Sequence, residues 1–219
     1  DFFFFFYANT QLKFLYGVND WLTLHIGRSG FQETYDLAAK YRLYAQKENG
    51  FPVTIVGFNS VAINSELKEE DYPNLKFENR LSYVAQVLIS RKFSDKLSLE
   101  IAPSVFHENT LRDILDENNA VILPNPQDNT QFAVGLGGRY KLTSRWSVNV
   151  DYAAHLNRAS QSNYKNPLSI GVDLETGGHV FQMHFTNAQA MHETGYLGQT
   201  VGDWSKGEIA FGFNLVRVF

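Results

Sequence analysis

Strict alternation of side chains is the feature that most limits how this chain can fold. In its last stretch Ile209, Phe211, Phe213, Leu215 and the terminal Phe219 share one parity, while Glu208, Ala210, Gly212 and Asn214 share the other. Successive strand residues point to opposite faces, so such a stretch makes a strand with one apolar and one polar side. About eleven stretches read this way. Leu12, Phe14, Tyr16 and Val18 alternate with Gln11, Lys13 and Gly17; Leu22, Leu24 and Ile26 with Thr23, His25 and Gly27. Further along, Leu97, Leu99 and Ile101 oppose Ser98, Glu100 and Ala102, and Trp146, Val148, Val150 and Tyr152 oppose Ser147, Asn149, Asp151 and His155. A strand over roughly 52–63 has an ambiguous frame, with Ile55 and Val56 competing, which suits a bulge.

The connections alternate short and long. Short turns fall near 19, 49, 95, 144 and 177, and longer loops near 30, 70, 120, 162 and 197. The longest loop, about 110–129, contains Leu111 to Asn119, which suit a short helix; another runs over about 190–205. Copies of the hairpin are irregularly spaced, which excludes a solenoid.

Alternation alone does not say which face is the core. A soluble barrel or sandwich would bury the apolar side. Three features favour lipid there instead. Trp21, Phe93, Tyr140, Trp146 and Phe219 gather on the side of the short turns, as an interfacial girdle would. Strands of about ten residues exceed the usual five or six. The polar face mixes small residues with charges of both signs. Its lumen-lining candidates are Lys13, Lys40, Arg42, Glu100, Arg139, Lys141, Asp151, Asp173, His184 and Glu208.

Composition agrees. Hydrophobic residues make up 44% of 219, too many for a disordered chain, yet no run of 18 apolar residues exists to make a membrane helix. A barrel needs no such run, because only alternate residues meet lipid. The net charge of −4 argues against a nucleic-acid partner, and the absence of cysteine excludes disulfides and thiolate metal sites. No signal peptide is visible, so an exported chain of this kind would be processed or trimmed.

The expected architecture is therefore one domain, 1–219: an all-β, antiparallel, up-and-down transmembrane β-barrel of about 12 strands in the bacterial outer membrane. Such barrels have even strand numbers. About eleven strands lie in this chain, so a twelfth is expected at or before the N-terminus, supplied by the aromatic run Phe2 to Tyr7 or by residues preceding Asp1.

Gly177-Gly178-His179-Val180-Phe181-Gln182-Met183-His184-Phe185-Thr186-Asn187-Ala188-Gln189, Gly202-Asp203-Trp204 and Phe211-Gly212-Phe213-Asn214-Leu215-Val216-Arg217-Val218-Phe219 resemble a Bacteroidota outer-membrane β-barrel family of unknown function, a membrane-bound β-barrel domain. Tyr16 to Leu22, Thr34 to Leu37 and Lys40 to Arg42 also resemble its hairpins, so the likeness spans most of the chain. The resemblance implies that the opening aromatic segment is a loop after an earlier strand. Where family members have a glycine in that segment, this chain continues with Phe. The family brings no catalytic residues.

Six histidines invite a metal site, but His179 and His184 fall on opposite strand faces, and His25, His155 and His184 share a face on different strands. No metal-ligand spacing stands out, and no cofactor is expected. Asp113, Asp116, Glu117, Asn118 and Asn119 form an acidic loop without the EF-hand spacing. His107 sits in the apolar frame, as a lipid-modifying barrel enzyme would require, but no serine nucleophile is identifiable beside it. No catalytic residue is assigned. The functional expectation is a non-enzymatic structural or partner-binding barrel with a filled or narrow lumen, surrounded by outer-membrane lipid. Its loops 110–129 and 190–205 would contact a membrane or surface protein or close the outer mouth. The alternatives are a small-solute pore and, less simply, the lipid-modifying enzyme.

Overall fold

A computed structural model describes residues 9–217, except 71, 73, 112–113, 116–120 and 124–126. Its strands are β1 (Gln11–Asn19), β2 (Leu22–Ser29), β3 (Tyr35–Tyr44), β4 (Thr54–Ile63), β5 (Leu81–Lys92), β6 (Leu97–Glu108), β7 (Ile114–Leu115), β8 (Val121–Leu123), β9 (Thr130–Lys141), β10 (Trp146–His155), β11 (Leu168–Glu175), β12 (His179–Thr186) and β13 (Ala210–Arg217). Eleven form one sheet in the order β1-β2-β3-β4-β5-β6-β9-β10-β11-β12-β13, every pair antiparallel. Neighbours in this sheet follow one another in chain order, with only the ribbon β7-β8 set aside between β6 and β9, the up-and-down topology that the alternation predicts.

The apolar parity lies outside. Phe14, Leu37, Leu136, Phe211 and Phe213 are about half exposed or more, whereas Phe106, Ala133 and Ala153 on the opposite parity are 1% exposed. At about 2.5 Å of advance per residue in a tilted strand, strands of 8–12 residues reach roughly 20–30 Å, comparable to an apolar band of roughly 25 Å. No helix among the described residues is long and apolar enough to cross a membrane. The short turns gather at one end of the barrel and the long loops at the other.

Two local expectations are corrected. The segment Leu111–Asn119 holds no helix among its described residues: Ile114 and Leu115 pair with Val121 to Leu123 as a separate two-stranded ribbon. Its apolar and β-branched residues find a strand partner across the loop, and pairing overrides local helix preference. The bulge falls on β3 rather than on the strand with the ambiguous frame. Arg42 pairs with Val56 and Tyr44 with Ile55, so Leu43 is the extra residue and the competing frames of Ile55 and Val56 are both satisfied by it. The strand itself begins at Thr54. Among the described residues β1 and β13 are the sheet's two edges. The parity expectation falls on Phe2 to Tyr7, outside the described residues.

Candidate functional site

The lumen is built in two layers by the same strands. Toward the long loops, the inward positions are small or apolar: Val84 on β5, Phe106 on β6, Ala133 on β9 and Ala153 on β10 form a dry collar. Toward the short turns, the inward positions of β6 and β9 to β13 are polar: Ser98, Glu100, Arg139, Asn149, Asp151, Gln182, His184 and Asn214.

The connection between β12 and β13 folds back into this lumen. Its helix α1 (Glu193–Gly198) touches β5, β6 and β10, which lie within the run of neighbours β5-β6-β9-β10. Leu197 joins the dry collar, with Tyr196 packed beside it. Polar bonds fix the helix to the walls in several directions. The Lys13 ammonium on β1 lies 3.4 Å from the Glu193 carboxylate and 3.8 Å from that of Asp36. The hydroxyls of Thr194 and Ser82 are 3.2 Å apart. Tyr196 donates its phenol hydrogen to Asp151, and Gln199 donates to Glu108. Arg158 donates to the Gly198 carbonyl at 3.5 Å. A side chain at Gly198 would put its Cβ 2.9 Å from the Phe106 ring, so the close seating of helix on collar requires a glycine.

Gln32 reaches the same segment from the other side. It sits at φ 55°, a conformation disfavoured outside glycine, and donates to the Gln199 side chain at 2.6 Å while accepting from Asn64 at 3.2 Å. The rest of the connection is clamped to the β10–β11 loop. Asn187 donates to the carbonyls of Asn166 and Gly202 at 3.0 and 2.9 Å, and the Trp204 indole donates to the Leu168 carbonyl at 3.0 Å.

His192, just before α1, is 2% exposed, with its ring 5.8 Å from that of Phe31. Burial, with the Lys13 ammonium nearby, holds its imidazole down at about 4.

Below the helix lies a polar cavity of ≈ 640 Å³, with Tyr196 among its lining residues. Glu100 and Asp151 flank Gly137, which pairs with both in register and leaves the space between them free of a side chain. On the neighbouring wall a ladder of bonds crosses five strands. Arg139 donates to Ser147 at 3.0 Å and to Glu175, with Asp173 at 4.0 Å; Gln182 donates to Asp173 at 2.9 Å and accepts from Asn214 at 2.7 Å. His184 lies between Gly171 and Gly212 in register, its ring over Gly212.

The remaining sequence candidates are placed as follows. Lys40 and Arg42 lie on the inward parity of β3 and are exposed to the lumen; with Lys141 they make no ion pair among the described residues. Glu208 precedes β13, and its carboxylate accepts the Asp203 amide hydrogen at 3.1 Å, so it belongs to the last loop and not to the strand wall. Trp21, Phe93, Tyr140 and Trp146 are all exposed at the short-turn end, and Phe219 is outside the described residues. So is the acidic loop from Asp116 to Asn119, with Asp113. His107 faces outward and meets a threonine, Thr130, at 2.8 Å, with the Tyr83 ring 6.3 Å away. Among the described residues no three His, Asp or Glu side chains converge as a metal site would need.

Sequence reasoning missed α1 itself. It is a helix of six residues, with no side-chain cap bond at His192, held by its surroundings. The available signal was the density of glycine and buried-type residues from Ala188 to Gly198, unusual for a loop in water.

The solved structure of the NanC porin, in a rhombohedral crystal form, shares this fold with a TM-score of 0.60 over 96% of this chain and 93% of that one, at 10% identity. No curated protein matches the sequence. The chain belongs to the family described as a membrane bound beta barrel domain, DUF5777, whose profile matches residues 1–219.

Proposed function

We propose that this barrel is an integral, non-enzymatic protein of a bacterial outer membrane whose lumen is kept shut by its own last loop, and that its long loops serve to bind a partner. The short turns then face the periplasm and the long loops the outside. The observation that carries this reading is α1, inserted into the dry collar and bonded to β1, β5, β6 and β10. A helix held on several sides of the lumen would obstruct a continuous water path at that level, which is what this reading requires. Loops on a rigid scaffold are where partner contacts concentrate.

A second reading has one observation in its favour. The cavity of ≈ 640 Å³ is polar and already large enough for a small solute, as a pore that opens by moving its plug would need. The fold shared with the NanC porin supports it. Planar-bilayer recording of the folded protein separates the two. The scaffold reading expects silence from the wild type, and steady steps only when residues 190–200 are replaced by a Gly-Ser linker. Spontaneous ohmic steps from the wild type would favour the pore, and silence from the linker variant would show that the lumen is blocked by something other than α1.

A further inference from the structure

The outward positions of the strands are apolar through the middle of the barrel, with one exception among the described residues. Polar or charged side chains of this parity, tyrosines aside, otherwise sit near strand ends: Arg28, Arg91, His107, Thr130, His179 and Arg217. Asn59 does not. It lies five residues from Thr54 and four from Ile63 on β4, exposed on the outer face, while its neighbours Phe58 and Ser60 are buried inward. At about 2.5 Å of advance per residue along the membrane normal, given strand rise and tilt, both ends are on the order of 10–13 Å away. Asn59 is therefore at mid-bilayer depth.

Its surroundings fix it there. In register Asn59 stands between Ala39 of β3 and Ala85 of β5, two small side chains. Tyr41 packs its ring over Gly57, where any Cβ would come within 2.3–2.7 Å of the ring, and its hydroxyl donates to Asn59 Oδ1 at 2.8 Å. That bond engages the amide oxygen and leaves the two Nδ2 hydrogens without an acceptor among the described residues. Turned the other way round, the amide would still keep one N–H free. The small residues leave a groove of ≈ 530 Å³ around it, walled by Leu24, Leu37, Val61, Tyr83 and Val105.

An unpaired amide N–H in hydrocarbon costs several kcal/mol. Water is absent at that depth, and the ester and headgroup oxygens of lipids sit at the interface, beyond reach. The acceptor must come from protein. We infer that the Asn59 groove is the two-fold interface of a homodimer within the bilayer, in which the amides of two copies exchange hydrogen bonds. An amide is complementary in partial charge to its own two-fold copy: each N–H faces the other's carbonyl oxygen, which keeps a free lone pair beside the Tyr41 bond. Ala39 and Ala85 let two sheets approach closely enough for this, the role that small residues play in membrane interfaces. An isologous contact closes after two copies and leaves no second site open.

The chain has no cysteine, so a single introduced thiol reports proximity cleanly. With Ala85→Cys, beside Asn59 in register and leaving the amide in place, a short bis-maleimide in liposomes should give a covalently linked dimer. Val172→Cys, on the outer face of β11 and away from the groove, should give at least ten-fold less. Asn59→Leu and, separately, Ala39→Phe should lower the dimer association constant of the full-length protein about ten-fold in mass-resolved chromatography. Both leave the lipid face apolar and so leave the barrel folded, which resistance of the cold-loaded band to gel unfolding will show. Equal cross-linking at both positions, no cross-linking at Ala85→Cys, its capture of a different polypeptide only, or a dimer unchanged by both substitutions would overturn the inference.

Discussion

The two halves of the lumen are made from the same strands and yet obey different rules. On β10, Ala153 lies in the dry collar, while Asp151, two residues along on the same face, borders the cavity. On β6 the same change separates Phe106 from Glu100. In the collar, filling is achieved by shape: a helix side chain, an aromatic ring and three small residues interlock, and interiors packed in this way transmit any lost volume directly into stability. In the cavity half a bonded ladder lines the wall around open space, and charges such as Lys40 and Arg42 remain exposed. Charges of both signs therefore leave open space between the walls of one half. On the proposed function, closure comes from the apolar ring of the other half and the segment seated in it.

Substitutions should therefore differ sharply between the halves. Phe106→Ala removes the centre of the collar and should lower unfolding free energy by about 3–5 kcal/mol, measured by denaturant titration in micelles. If it costs no more than a change in the cavity half, the two-layer description fails. Acid comes next. His192 is held near 4 in the fold against about 6.5 when unfolded, with Lys13 opposing its protonation and the Glu193 carboxylate adjacent in the chain. The unfolded chain binds the proton first, so stability should fall as pH drops from about 6.5 toward 4, by on the order of 3 kcal/mol. His192→Gln should flatten that slope; an unchanged slope would place the acid sensitivity elsewhere. Tyr196→Phe removes the bond from the helix to Asp151 at the boundary between the halves and should cost about 1–2 kcal/mol. Smallest is Arg139→Gln in the ladder, where the guanidinium is more than a third exposed: below about 1 kcal/mol, with the anionic surplus around Asp173 and Glu175 increased.

Much of this was readable in the residues. The eleven strands, their alternating faces and the alternation of short and long connections follow from period-two patterning, because a one-residue slip would turn Phe211 or Leu136 inward and Arg139 toward lipid. The lumen charges were readable for the same reason. The plug was not. Glu193 to Gly198 is too short to show helical periodicity, and nothing in its own residues says that Leu197 meets Phe106, a contact between residues 91 positions apart. The helix expected near 111–119 failed for the converse reason: the segment suits a short helix read alone, but the strand partners of Ile114 and Leu115, Val121 to Leu123, lie across the loop. Glu208 was drawn into the last strand by parity alone, though its carboxylate serves the turn at Asp203.

The stopper of this barrel is tied at both ends, since Thr186 closes β12 and Ala210 opens β13. If displaced from the collar, it could not diffuse away. Re-entry is then a unimolecular event governed by a high local concentration, so its rate should not depend on how much protein the membrane holds. A channel made from such a barrel would flicker rather than stay open, and its dwell times would report the length of the tether.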